Sequence, residues 1–178
     1  MKTLHLVVTT LCNRNCKFCC NNQYNIANLE YATDDDFKWC EMLCLTGGEP
    51  FTYANPVNLA ARYKALYPNI KSVIVYANAV ELGNYILLAN YIVHNSTVSY
   101  DIFDNIDGIN VSIKNAADLD VFNHVIMCTP SFLKKEKNRV YDFLDTSEIK
   151  QSQYYSIIKR KWQENFIPAE ECRFKRGN

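Results

Sequence analysis

An α/β fold, with a parallel sheet and helices packed outside it, is predicted for this chain. Short apolar runs rich in β-branched residues recur along the sequence. Segments with helical apolar spacing and recognisable N-caps follow them. Strand–helix alternation persists over four units, as parallel strands require. Such crossovers are right-handed. A curved, partial (β/α) barrel and a flat doubly wound sheet both satisfy these observations. One domain over 1–178 is expected, with its core at about 3–145 and a C-terminal extension over 146–178.

Leu4 to Thr9 contains Val7, Val8 and Thr9 and reads as a buried first strand. Residues 20–32 are rich in Asn and Tyr and read as loop. Thr33, with Asp36 three residues on, resembles an N-cap and capping box for a short helix over 34–41. The triplet Asp34, Asp35 and Asp36 then serves the helix dipole rather than a metal. Met42 to Thr46 is the second strand and ends at a Gly-Gly turn.

Asn55-Pro56 is an N-cap with proline at the first helical position, and Leu59, Tyr63 and Leu66 follow at helical spacing. A third strand covers 71–76. A third helix fits 81–94, where Leu82, Tyr85, Ile86 and Ala89 share a face. Ile109 to Ile113 is the fourth strand, and Asn115 caps a helix carrying Leu119, Phe122 and Val125. Residues 131–138 read as helix and 139–144 as a fifth strand. Residues 147–163 fit a helix or a strand over 154–158. The tail from Pro168 is polar, and no sixth strand is clearly legible, so the barrel is expected to be truncated.

Composition narrows the class. Hydrophobic residues make up 48% of 178, which suits a packed globule. Lys+Arg and Asp+Glu are both 19, so net charge indicates neither nucleic acid nor membrane. Residues 131–178 hold 11 basic against 7 acidic side chains, a basic bias fitting a solvated face or an anionic partner. No apolar stretch approaches the ~20 residues that span a bilayer. Without a secretory pattern, a reducing cytoplasm is expected, where clustered cysteines signal metal or redox chemistry.

The chemistry concentrates in two motifs. Cys12, Cys16 and Cys19 are spaced C-x3-C-x2-C directly after the first strand. Three thiolates on one loop can converge on a soft metal, namely zinc, Cu(I) or an iron–sulfur cluster. Structural zinc needs a fourth Cys or His with paired spacing, and His5, His94 and His124 are all isolated. A cluster of four irons held by three cysteines keeps one iron open, as catalytic metal sites do. Gly47-Gly48-Glu49-Pro50 ends the next predicted strand, so both motifs fall on the edge where α/β proteins bind ligands. Its glycines permit close backbone approach, and Glu49 offers a carboxylate to an ammonium group.

With these residues the chain resembles the radical S-adenosylmethionine (SAM) superfamily. The likeness rests on Cys12, Cys16 and Cys19, on Phe18 before the third cysteine, and on Gly47-Gly48-Glu49-Pro50. It extends more weakly to residues 75–79 and to Val111-Ser112-Ile113-Lys114, covering about residues 3–125. It implies a partial (β/α) barrel and a [4Fe–4S] cluster on the three cysteines, with SAM on the fourth iron. Gly47, Gly48, Glu49 and Pro50 would meet the SAM amino group, and Phe18 would lie by the adenine. Asn78 ends the third strand, and Ser112 and Lys114 would meet the ribose or carboxylate. It further implies an external one-electron donor of flavodoxin or ferredoxin type, and a substrate or partner that closes the open barrel side. The sequence departs from the family at Asn78-Ala79, where Asn-Gly is usual, and in having no glycine between Gly108 and Gly177.

The substrate is less defined. Cys19-Cys20-Asn21 resembles the small activases of glycyl radical enzymes, whose substrate is a backbone glycine of a partner. A small radical SAM enzyme acting on a small molecule, nucleotide or peptide is the broader expectation. A non-catalytic iron–sulfur or zinc module is the reading from a different class. Cys40, Cys44 and Cys128 are expected to fill core space, while Cys20 and Cys172 are unassigned.

Overall fold

The computed structural model describes residues 1–14, 16, 19, 21, 25–94, 103–128, 135, 137–151, 153–159 and 172–177. The strands are β1 (Thr3–Thr9), β2 (Met42–Gly47), β3 (Ser72–Asn78), β4 (Gly108–Ile113), β5 (Arg139–Asp142), β6 (Ser156–Lys159) and β7 (Cys172–Arg176). The α-helices are α1 (Asp34–Trp39), α2 (Pro50–Tyr53), α3 (Pro56–Leu66), α4 (Ala79–His94) and α5 (Ala116–His124). The α/β expectation holds.

All seven strands are parallel, in the order β6-β5-β4-β3-β2-β1-β7. Strands β1 to β6 advance one position at a time. Strand β7 pairs with β1 on the side away from β2, where a seventh barrel strand belongs. β6 and β7 end the sheet, so the opening lies between them.

Side-chain contacts show that the sheet curls. The His5 and Tyr76 rings meet at 5.9 Å across β2, and Tyr76 and Tyr141 at 6.3 Å across β4. Strands two apart in a flat sheet stand about 9–10 Å from each other. The sheet is therefore concave on the face carrying these rings, and the architecture is a partial, open (β/α) barrel.

The opposite face forms the core. Leu4, Leu6, Leu43, Leu45, Val73, Val75, Ile109, Val111 and Ile113 alternate outward along their strands. They join Phe37, Ala60, Leu82, Ile86 and Phe122 in one buried cluster with the helices. The caps hold the helices where the sequence puts them. Thr33 and Asp36 make a reciprocal capping box on α1. Asn55 and Asn115 accept from Asn58 N and Asp118 N at 3.1 and 2.9 Å.

The C-terminal expectations need correction. The sheet does not stop at five strands: Ser156–Lys159 and Cys172–Arg176 are β6 and β7 of the same sheet. The helical alternative over 147–163 fails because Ile157 packs against the core from a strand. The polar tail is a strand because Arg173 and Lys175 reach Asp36 and Glu30, at 2.8 and 2.6 Å. Residues 30–32 run along the free edge of β7, where Arg176 N donates to Glu30 O and Ala32 N to Arg176 O, both 2.8 Å. Those ion pairs, with Lys159 on Asp145, engage part of the basic C-terminal third within the molecule. The helix expected over 131–138 lies mostly outside the described residues. Cys40 and Cys44 are buried as expected, but Cys128 is exposed rather than in the core.

Candidate functional site at the strand ends

The cysteine loop leaves β1 and lies directly on the turn after β2. Gly48 N donates to Thr9 O at 2.7 Å, and Glu49 N to Leu11 O at 2.9 Å. This contact explains both glycines. Gly47 sits at φ 131°, and a Cβ there would stand 2.2 Å from Thr9 O. A Cβ on Gly48 would stand 1.8 Å from Leu11 O. The close approach the glycines permit is thus to the cysteine loop itself. Asn21 adds a third tie, its amide donating to Gly47 O at 2.6 Å.

Two adjacent residues of the loop reach further strand ends. Asn13 Nδ2 donates to Glu81 Oε1 at 2.5 Å, and Thr52 of α2 donates to the other oxygen at 2.9 Å. Arg14 makes an ion pair with Asp118, which is fully buried. The second Asp118 oxygen accepts from Lys114 N at 2.9 Å. Glu81 and Asp118 both occupy the third helical position after an asparagine cap, Asn78 and Asn115. Asp36 holds the same position on α1 and is bound by Arg173 of β7. The acidic third residues of three helices thus anchor distant segments.

Glu49 lies beneath the loop with 2% exposure. Its Oε2 accepts from Asn78 N (3.0 Å) and Asn78 Nδ2 (2.6 Å), and its Oε1 from Phe51 N (3.3 Å). It therefore caps α2, whose first residue is the buried Pro50. Burial outweighs these hydrogen bonds and pushes the carboxyl up to about 7. Asn78 joins β2 to β3 through Glu49, while its Oδ1 caps α4 by accepting from Glu81 N at 2.9 Å.

Ser112 and Lys114 lie at the end of β4. Ser112 is the register partner of Asn78, and Lys114 Nζ lies 5.4 Å from the centre of the Phe143 ring. Phe18 falls outside the described residues. Cys12, Cys16 and Cys19 are in no disulfide and are at least partly open to solvent. Desolvation, with the negative charges of Glu49, Cys19 and Cys16 nearby, raises the Cys12 thiol above its ordinary value. The three thiols and Glu49 thus share one electrostatic neighbourhood. Among the described residues no three His, Cys, Asp or Glu side chains are gathered tightly enough to hold a metal. The donor set still fits a soft metal by chemistry, because one tethered loop carries three thiols outside any disulfide.

The sequence reading missed Asn13, Arg14, Glu81 and Asp118 as parts of this site. A signal was present in the asparagine caps followed by an acid three residues on. What a cap pattern omits is the long-range partner.

Among the described residues no helix is long and apolar enough to cross a membrane. Comparison with protein-family models, with curated proteins and with solved structures finds no match to this chain.

Proposed function

We propose that this chain is a radical SAM enzyme of a reducing cytoplasm. The observation that carries the reading is the contact between its two motifs. The cysteine loop and the Gly47-Gly48-Glu49-Pro50 turn are hydrogen-bonded at adjacent strand ends, beside the buried carboxylate of Glu49.

Cys12, Cys16 and Cys19 would hold a [4Fe–4S] cluster. Bound there with SAM and given one electron by a flavodoxin- or ferredoxin-type donor, the cluster would supply reductive SAM cleavage and radical hydrogen abstraction from a substrate. The chain's residues position and shield this chemistry. Glu49 is desolvated, with both oxygens already accepting from Asn78 and Phe51, and an ammonium group beside it would favour the ionised carboxylate. Ser112 and Lys114 are set to meet the polar remainder of the ligand. Asn13 and Arg14 tie the start of the loop, next to Cys12, to α4 and α5. A substrate or partner at the opening between β6 and β7 excludes water.

The Cys-x-Asn pattern does not select the activase reading. Asn21 is occupied in bracing Gly47, a duty independent of substrate. A zinc or electron-transfer module has no use for a second motif buried against the loop.

Anaerobic reconstitution tests the proposal. We expect about four irons per chain and dithionite-dependent release of 5′-deoxyadenosine, both abolished by Cys16→Ala. Tightly bound zinc with no SAM cleavage would overturn it.

A further inference from the structure

The concave face is built unlike the packed interior of a closed barrel, where branched aliphatic side chains dominate. Beside the aliphatic Val7 and Ile74 its middle carries His5, Cys44, Tyr76, Asn110, Tyr141 and Phe174. Asn110 is 3% exposed. It shares a hydrogen bond with Tyr76, yet among the described residues its Oδ1 has no partner. A buried acceptor without a donor opposes folding, and such groups call for an explanation.

Three observations define what would satisfy it. First, a carbonyl oxygen needs an N–H or O–H. Second, the walls are flat: His5 and Phe174 are stacked with an interplanar angle of 7°, and Tyr76 and Tyr141 with 8°. Third, the lining is uncharged. Burial lowers the His5 imidazole to about 4, leaving it neutral. The arginines on this face stand at strand ends, where Arg139 is exposed and Arg176 lies over the Tyr31 ring. An ion buried here would lose its hydration without a counter-charge.

The position also fits. Asn110 and Tyr76 lie two residues before Ser112 and Asn78 on the same strand faces, which is about 7 Å below the strand edge.

We infer that this layer binds the reacting end of the substrate, and that this end is an uncharged, planar heterocycle carrying an N–H, the chemistry of a nucleobase. The inference rests on the proposed radical chemistry for its consequence but not for its test. Binding is measured on the full chain without iron, by titration with adenosine, guanosine, cytidine and uridine. At least one is expected to bind. Asn110→Leu should weaken it about tenfold while changing the thermal midpoint little, because the lost hydrogen bond to Tyr76 is offset by removal of the orphaned acceptor. Asn110→Thr keeps an uncharged acceptor and should retain part of the binding, which decides the matter if the leucine variant fails to fold. The inference is overturned if no nucleoside binds at millimolar concentration, if Asn110→Leu binds as the parent does, or if SAM displaces the nucleoside competitively. SAM cleavage is assayed separately on the reconstituted protein. Failure there with nucleoside binding intact removes the radical reading alone, and the converse removes only this one.

Discussion

The two faces of one sheet differ in what their residues are asked to do. Along β4, Ile109, Val111 and Ile113 point outward and are fully buried against helices. Between them Asn110 and Ser112 point into the concave side. The same alternation runs through β1, where Leu4 and Leu6 flank His5, and β2, where Leu43 and Leu45 flank Cys44. The outer set buries apolar surface, which stabilises the fold by roughly 25 cal/mol per Å². The inner set carries polar and aromatic groups, among them Asn110 with its unmet acceptor. The outer face makes the protein stable, and the inner face is the one the proposed ligand chemistry would use.

Leu45→Ala should break this comparison most sharply on the outer side. Leu45 is fully buried in the sheet–helix cluster. Its truncation removes transfer free energy and leaves a cavity, for a loss of about 2–5 kcal/mol. Chemical denaturation at constant m-value would register it. A loss as small as that of an inner-face substitution would mean that the two faces do not divide stability and function.

The same division explains what the sequence disclosed. The outer face was legible because its apolar residues recur with strand period, and because caps such as Thr33, Asn55 and Asn115 punctuate the helices. The cysteine loop and the Gly47-Gly48 turn were legible because few roles require those residue types together. Strand β6 was ambiguous, since Ile157 and Ile158 suit either period in so short a run. Strand β7 was hidden because Arg173 and Lys175 look solvated until Asp36 and Glu30, distant in sequence, come alongside. The duty of Arg14 was hidden for the same reason, as its partner Asp118 lies across the sheet. Local signals announce elements, whereas charge pairs between distant segments become visible only in the fold.

The pH response of the cofactor-free protein sharpens the comparison further. Glu49 has a folded value of about 7, above its ordinary 4.5. Its contribution to stability is complete below 4.5 and is lost as pH rises through 7. His5, lowered from 6.5 to about 4, does the reverse. Its contribution is present above 6.5 and is lost as pH falls through 4. The two windows overlap, so between pH 4.5 and 6.5 the opposed slopes largely cancel and leave a shallow plateau, although each alone amounts to on the order of 3 kcal/mol. Glu49→Gln should unmask the His5 decline as pH falls from 6.5 to 4, and His5→Phe should unmask the Glu49 decline as pH rises from 4.5 to 7. Thermal midpoints measured from pH 4 to 8 for all three proteins decide the point. Identical profiles would show that neither group is as desolvated as its place in the fold implies.

The smallest effect on stability is expected from Lys114→Met, and it is the most informative about the inner edge. Methionine keeps the stem over Phe143 and removes only the ammonium group. A cation over an exposed ring contributes about 0.5–1 kcal/mol, so the denaturation midpoint should hardly move. The backbone bond from Lys114 N to Asp118 does not depend on the side chain, so the tether to Arg14 survives. If Lys114 meets an anionic group of the ligand, SAM binding should weaken about tenfold, the effect of losing one charge-assisted hydrogen bond. Neighbouring Ile113 supplies the control, since it belongs to the outer cluster. Ile113→Val should lower stability by about 1 kcal/mol and leave SAM affinity unchanged. Adjacent residues with opposite profiles would extend the division between the faces to the end of β4. A Lys114 variant that lost stability but kept its affinity for SAM would place Lys114 in the framework, with Ile113, and out of the site.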